Sequence, residues 1–150
     1  MAEVEREERG VLPLPTRHIP MPRAESPLVG GYQGGWFHPT TGYSFPLALR
    51  LAQVVARATP DRLFGPDWAR LVARHRTALR YGLLLNRMLF GAFRPEDRYN
   101  VLERFYGLPV ATIRRFYALT PTRADRVRIL CGRVPRGFSL RQALASRTIP

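Results

Sequence analysis

Lysine is absent from the chain: all 24 basic residues among its 150 are arginine. A coding preference produces that by itself, so the choice of arginine over lysine carries no functional weight. The absence does exclude a P-loop, whose phosphate-binding lysine has no counterpart here. Cysteine is nearly absent as well. Cys131 stands alone, which excludes a disulfide framework and a zinc site built from several thiolates, and no metal site is expected. Lying beside Gly132 at the end of a helical pattern, Cys131 is expected to be a small buried side chain. No apolar run reaches the ~18 residues needed to span a bilayer. The best, Tyr81 to Phe93, is broken by Asn86 and Arg87. Met1 to Gly10 alternates Glu and Arg without an apolar centre and so makes no secretory signal. The chain is therefore expected to be intracellular and not to cross a membrane.

What is present fits a globular protein. Apolar residues make up 45% and aromatics 11%, enough to argue against wholesale disorder. The length suits one domain. The formal charge of +13 is unevenly placed. Residues 1–30 carry four Arg against five Glu, a net −1, and residues 31–150 carry twenty Arg against six acids, a net +14. A basic region of that kind points to an anionic partner such as nucleic acid, a lipid surface or an acidic domain. A solvated arginine-rich surface is the plain alternative.

Val4 to Leu14 reads as an edge or terminal strand ending at Pro13 and Pro15. Four prolines make residues 15–29 a connector. Leu28 to Gly35, short and Gly-rich, suits a strand closely approached by other backbone. A helix is expected from Ser44, its cap, to about Ala58. Everything beyond residue 60 reads as helical: Asp67 to about Phe90, Pro95 to Tyr106, Pro109 to about Leu119, Thr122 to about Leu130, and Ser139 to Ala145. The first two short helices open on Pro at N1, and Thr122 with Asp125 caps the third. On the long helix, Trp68, Leu71, Val72, His75, Leu79, Leu83, Asn86, Leu89 and Phe90 share one face at 100° per residue. From Leu83 onward Leu84, Leu85 and Met88 make that helix apolar all round, so its second half is buried or meets something greasy.

Catalytic patterns are thin. His18, His38 and His75 are scattered, and Cys131 has no activating environment for nucleophilic catalysis. Glu96-Asp97 lies in a first helical turn, where acids favour the dipole. Glu7-Glu8 falls in a strand pattern, which sends adjacent carboxylates to opposite faces. Gly30-Gly31-Tyr32-Gln33-Gly34-Gly35 lacks the strand–turn–helix context of a dinucleotide fingerprint. His38 to Ser44 is more telling, a turn leading straight into a helix N-terminus. Free N–H groups there favour an anion such as a phosphate or a reduced flavin ring, with Gly42 allowing close approach and Tyr43 and Trp36 available to stack. A capped turn with structural aromatics is the competing reading. His75 and Asn86 read as satisfied core polar groups, and Leu83 to Phe90 as core or pocket. Arg104-Phe105-Tyr106 and Arg114-Arg115-Phe116-Tyr117 mix cations with aromatics, as nucleic-acid surfaces and ordinary packed helices both do.

Six blocks in one order then carry a resemblance: Glu7 to Pro13, Phe37 to Ser44, Leu84 to Phe90, Glu103 to Pro109, Arg115 to Tyr117, and Asp125 to Leu130. Together they are similar to the C-terminal part of bacterial lycopene β-cyclases of the flavoprotein type. The resemblance implies a mostly α chain with a short β part at the N-terminus, the C-terminal portion of an α/β FAD-binding, hydroxylase-like fold. Residues 1–58 would be the remnant of the FAD-binding domain (strands, flavin-facing turn, helix), and residues 59–150 a helical C-terminal region. It implies proton-initiated cyclisation of lycopene ends to β-carotene with reduced FAD, NADPH as electron source and no net redox change. His38, Pro39, Thr40, Thr41, Gly42 and Tyr43 match the flavin-facing turn. Leu85, Asn86, Met88, Leu89 and Phe90 fall in the helical signature and are expected to line the carotenoid pocket. The glycine fingerprint and the acidic motif that carries the proton donor lie upstream in that family, so the catalytic residue is not assigned. The 150-residue chain alone is expected neither to hold FAD tightly nor to cyclise lycopene. The expected setting is cytoplasmic, peripheral to the inner face of the cell membrane, with the N-terminal FAD-binding half as the missing partner. An Arg-rich nucleic-acid-binding or peripheral membrane module without catalysis is the alternative. The dispersed arginines and the lack of an obvious recognition helix weigh against nucleic acid.

Overall fold

A computed structural model describes residues 7, 9–11, 13–131 and 136–139. Among them are five α-helices and two 3₁₀ turns. Helix α1 spans Phe45–Arg57, α2 Pro66–Ala92, α3 Arg98–Tyr106, α4 Val110–Tyr117 and α5 Arg123–Leu130; the 3₁₀ turns are Pro60–Arg62 and Pro95–Asp97. No helix among the described residues is long and apolar enough to cross a membrane.

Helix α2 is the axis of the molecule. Trp68, His75, Ala78, Leu79, Gly82, Asn86 and Ala92 are its buried positions, and those from Trp68 to Asn86 share a single helical face. Its N-terminal half packs with α1 through Trp36, Leu47, Leu51 and Trp68, backed by Phe64, Leu71 and Leu119. A second cluster of Ile19, Phe37 and Leu79 sits further along. Burying each such large apolar side chain contributes about 2 kcal/mol, so the two clusters order the N-terminal connector as well as the helices.

The short β part is not found among the described residues, which contain no strand. Val4–Leu14 lies partly outside them. Leu28–Gly35 is a succession of turns: Gly31 and Gly35 take φ of 57° and 74°, and local bonds run from Gly34 N to Gly30 O, Gly35 N to Tyr32 O and Trp36 N to Gly31 O. With these N–H groups bonded locally and glycine supplying the left-handed steps, the segment coils instead of pairing. The close backbone approach is real, since a Cβ on Gly35 would collide with the Pro20 carbonyl.

Several element ends also differ from expectation. Ser44 precedes α1, but its side chain makes no capping bond. Pro46 has no N–H to give, and Leu47 N already donates to Ser44 O at 3.0 Å. Pro95 opens a 3₁₀ turn that feeds α3, and Pro109 stands at the N-cap of α4. The box on α5 forms as Thr122 and Asp125 require: Asp125 N donates to Thr122 Oγ1 at 3.1 Å, and Thr122 N donates to Asp125 Oδ2 at 2.9 Å. Cys131 is exposed, one residue past α5, whose buried position is taken by Asp125. The expected helix from Ser139 to Ala145 falls, apart from Ser139 itself, outside the described residues.

Candidate functional site: an apolar cavity beside the His38–Tyr43 turn

The turn is held from three sides. His38 N donates to Tyr43 O at 2.8 Å and Gly42 N to His38 O at 2.8 Å, closing the loop on itself, with Gly42 at φ 72°. Thr40 N donates to His38 Nδ1 at 3.2 Å, so Nδ1 is the acceptor and Nε2 carries the proton, donated to Phe116 O of α4 at 3.1 Å. Burial lowers the His38 pKa from 6.5 to about 4, against the opposing pull of the Phe116 bond, and the ring is a neutral strut. Pro39 packs on Gly82 of α2, where a Cβ would overlap its ring. From the same helix Asn86, fully buried, donates through Nδ2 to Pro39 O at 2.8 Å and to Pro15 O at 2.7 Å. Thr40 Oγ1 adds a bond to Gly82 O at 3.4 Å.

Within the turn itself, ahead of the helix N-terminus whose free N–H groups were expected to favour an anion, the N–H groups of Thr40 to Tyr43 are already bonded. Thr40 N and Thr41 N both bond back to His38, Gly42 N does likewise, and Tyr43 N donates to Thr41 Oγ1 at 3.3 Å. A phosphate would have to displace these bonds. Trp36 cannot stack on a ligand either, being buried between Trp68, edge-on at 5.4 Å, and His75, stacked at 5.2 Å. Tyr43 is half exposed and free to do so. At the start of α1 beside it, Phe45 is 65% exposed.

Behind the turn lies a cavity of about 580 Å³ between the second half of α2 and helices α3, α4 and α5. Leu85, Met88, Leu89 and Phe90 line it from α2; Phe105 and Tyr106 from α3; Phe116 and Tyr117 from α4; Thr40 and Thr41 reach it from the turn. Of the expected pocket residues, Asn86 is the one that does not line it, because its amide is turned to the Pro15 and Pro39 carbonyls. His38, Pro39, Gly42 and Tyr43 also lie off its wall. Among the described residues the wall carries no carboxylate. Its hydroxyls include the Tyr106–Tyr117 pair, 2.6 Å apart. Burial first, then the bond to Tyr106, pushes the Tyr117 phenol up to about 12, so it keeps its proton at neutral pH. Two guanidiniums border the cavity, each already engaged. Arg98 lies 4.8 Å above the Phe90 ring, and Arg104 donates to Ile129 O at 3.1 Å, Arg128 O at 3.2 Å and Cys131 O at 2.5 Å, closing the C-terminus of α5.

The clamp that shapes this end was not foreseen. Asp125, fully buried, accepts from Thr112 Oγ1 at 2.7 Å and from both arms of Arg115 at 2.6 and 2.7 Å, as well as from the Thr122 cap. The Arg115 guanidinium holds its carboxyl far below the usual carboxylate range, against the cost of desolvation. The signal was present in Thr112, Arg115 and Asp125, but nothing local says that α5 folds back onto α4. The same holds for Phe105 and Phe116, whose rings meet at 4.8 Å.

A cavity walled by aromatic and aliphatic side chains, without an acid or a metal-ligand set among the described residues, suits a long apolar molecule. Comparison with known proteins points the same way. Residues 1–143 match the family model described as Lycopene cyclase protein. The lycopene beta-cyclase of Pseudescherichia vulneris is 44% identical over 153 residues, covering 96% of this chain and 39% of the relative. Those of a Paracoccus strain and of Pantoea ananas are 42% and 39% identical, covering 93% and 87% of this chain and 38% and 35% of theirs. No solved structure matches. The chain thus spans under two fifths of the length of these relatives, and it belongs to the lycopene cyclase family.

Proposed function

We propose that this chain is the carotenoid-holding part of a lycopene β-cyclase, acting with an N-terminal FAD-binding part such as its longer relatives have room for. The observation that carries this reading is the aromatic-walled cavity against Thr40 and Thr41. A lycopene end entering it meets the rings of Phe90, Phe105, Phe116 and Tyr117. Those faces suit a substrate that becomes a carbocation once protonated, because aromatic rings attract positive charge and a dry cavity keeps water from intercepting it. The proton comes from a carboxylate not found among the described residues of this wall, and ring closure then returns a proton, so the reaction is an isomerisation without net redox. Reduced FAD, maintained by NADPH, supplies electron density near the developing charge when bound. His38 and Asn86 hold the turn rigid, and Tyr43 and Phe45 offer the surface for the ring.

Two exposed surfaces support the partners. Phe45 and Leu49, 65% and 53% exposed one turn apart on α1, make an apolar strip suited to docking the N-terminal part. Met88, Leu102 and Tyr106 line the cavity and are also exposed, so its mouth is greasy where lycopene would arrive from a bilayer. With +14 on residues 31–150, this favours peripheral attachment at the cytoplasmic face of the cell membrane over nucleic acid. The test is a chimera in lycopene-accumulating cells, in which this chain replaces the matching part of the Pseudescherichia vulneris protein. β-Carotene is expected from the chimera, from neither piece alone, and not from the chimera carrying Leu89→Asp. A stable, flavin-loaded chimera that leaves lycopene unchanged overturns the proposal.

A further inference from the structure

A second depression, of about 310 Å³, lies on another side of α2, in the groove between α1 and α2. Its chemistry is the opposite of the carotenoid cavity. Arg50 and Arg57 enter it from α1, seven residues apart, and Arg70 and Arg74 from α2, four apart, so each pair lies on one face of its helix. Four guanidiniums thus converge against one carboxylate, Asp67, which is already bonded to Arg70. Arg57 and Arg74 have no carboxylate partner among the described residues. Arg50 is fixed in place, its Nη2 donating to Ala118 O at 2.6 Å at the end of α4. Burial, then the facing charge of Arg74, lowers its pKa from the ordinary arginine value. The floor is apolar, with Leu47, Leu71 and Leu119. Like charges gathered over a low-dielectric floor repel unless an anion sits among them.

We propose that this groove binds a phosphate group, as a diphosphate or a phosphate monoester. Guanidinium forks match phosphate oxygens bidentately, and a site with several of them selects multiply charged over singly charged anions. The cradle is preformed by two helices that pack through Trp36, Leu47, Leu51 and Trp68, so little ordering is needed on binding.

The probe is inorganic diphosphate, titrated calorimetrically into the 150-residue chain at constant ionic strength near 0.15 M. Saturable binding at one site per chain is expected. Arg57→Gln with Arg74→Gln, two exposed side chains the fold does not lean on, weakens it at least about tenfold. Arg76→Gln with Arg80→Gln removes the same net charge from exposed positions of α2 outside the groove and leaves affinity within about twofold. Absence of saturable binding, or equal losses in the two double variants, overturns the proposal. Given that result, vesicles separate the sources. If phosphatidic acid in phosphatidylcholine vesicles retains the chain, and diphosphate or the groove variant releases it, the phosphate is a lipid headgroup. If the vesicles hold the parent and both variants alike, it is a soluble phosphate compound.

Discussion

Replacing Asn86 with alanine tests whether the turn is fastened to α2 as the geometry indicates. The amide is fully buried, and its two N–H groups go to the carbonyls of Pro15 and Pro39 at 2.7 and 2.8 Å. Each such bond contributes about 1 kcal/mol, and a buried carbonyl left without a partner costs about 1 kcal/mol more. Two bonds and two carbonyls therefore set the loss at about 4 kcal/mol. Asn86 Oδ1 is itself buried without a partner, and its removal relieves about 1 kcal/mol of that. The net expectation is about 3 kcal/mol. Asn86→Asp keeps the shape but presents acceptors to acceptors, so it is worse at neutral pH. Its deficit relative to the parent narrows as the pH falls, because the protonated acid regains one donor. Urea unfolding followed by the fluorescence of Trp36 and Trp68, both buried, reads this directly. With a slope of about 2 kcal/mol per molar urea, the Asn86→Ala midpoint falls by about 1.5 M. A fall under about 0.3 M at unchanged slope refutes the fastening, as does an Asn86→Asp variant no weaker than Asn86→Ala.

Three further outcomes follow from the same packing. Gly82→Ala gains about 1 kcal/mol of helix propensity but drives a Cβ into the Pro39 ring, which Asn86 keeps from retreating; overpacking costs up to about 3 kcal/mol, so the urea midpoint falls, and a rise refutes the contact. His38, held near 4 in the folded chain and near 6.5 unfolded, gives stability that is complete above pH 6.5 and is lost as the pH drops towards 4, by about 3 kcal/mol; buried His75 acts in the same direction, and His38→Gln flattens the slope of midpoint against pH. Asp125→Asn removes the charge that Arg115, Thr112 and Thr122 converge on, so amide exchange should quicken across α4 and α5 while α1 is unaffected; uniform protection would contradict the clamp.

The sequence by itself determined the helices, because their signals are local. Period-3.6 apolar positions from Trp68 to Phe90, prolines at helix starts and the Thr122–Asp125 box act within a few residues of where they stand. It also placed Trp68, His75, Leu79 and Asn86 on the inward face of α2, but not Ala78, Gly82 or Ala92. It misjudged Leu28–Gly35, a short, apolar, Gly-rich stretch that suited a strand but whose left-handed glycines let the backbone bond to itself. Only the tertiary structure decided what the buried polar groups do. Nothing near His38 names Phe116 as its acceptor, and nothing near Asp125 announces Thr112 and Arg115. Only the fold turned Asn86 from the cavity to the Pro15 and Pro39 carbonyls, and gathered four arginines from two helices into one groove. Where a buried polar atom finds a partner, that partner stands wherever the chain brings one, and that place is set by how helices pack, which no short stretch of sequence contains.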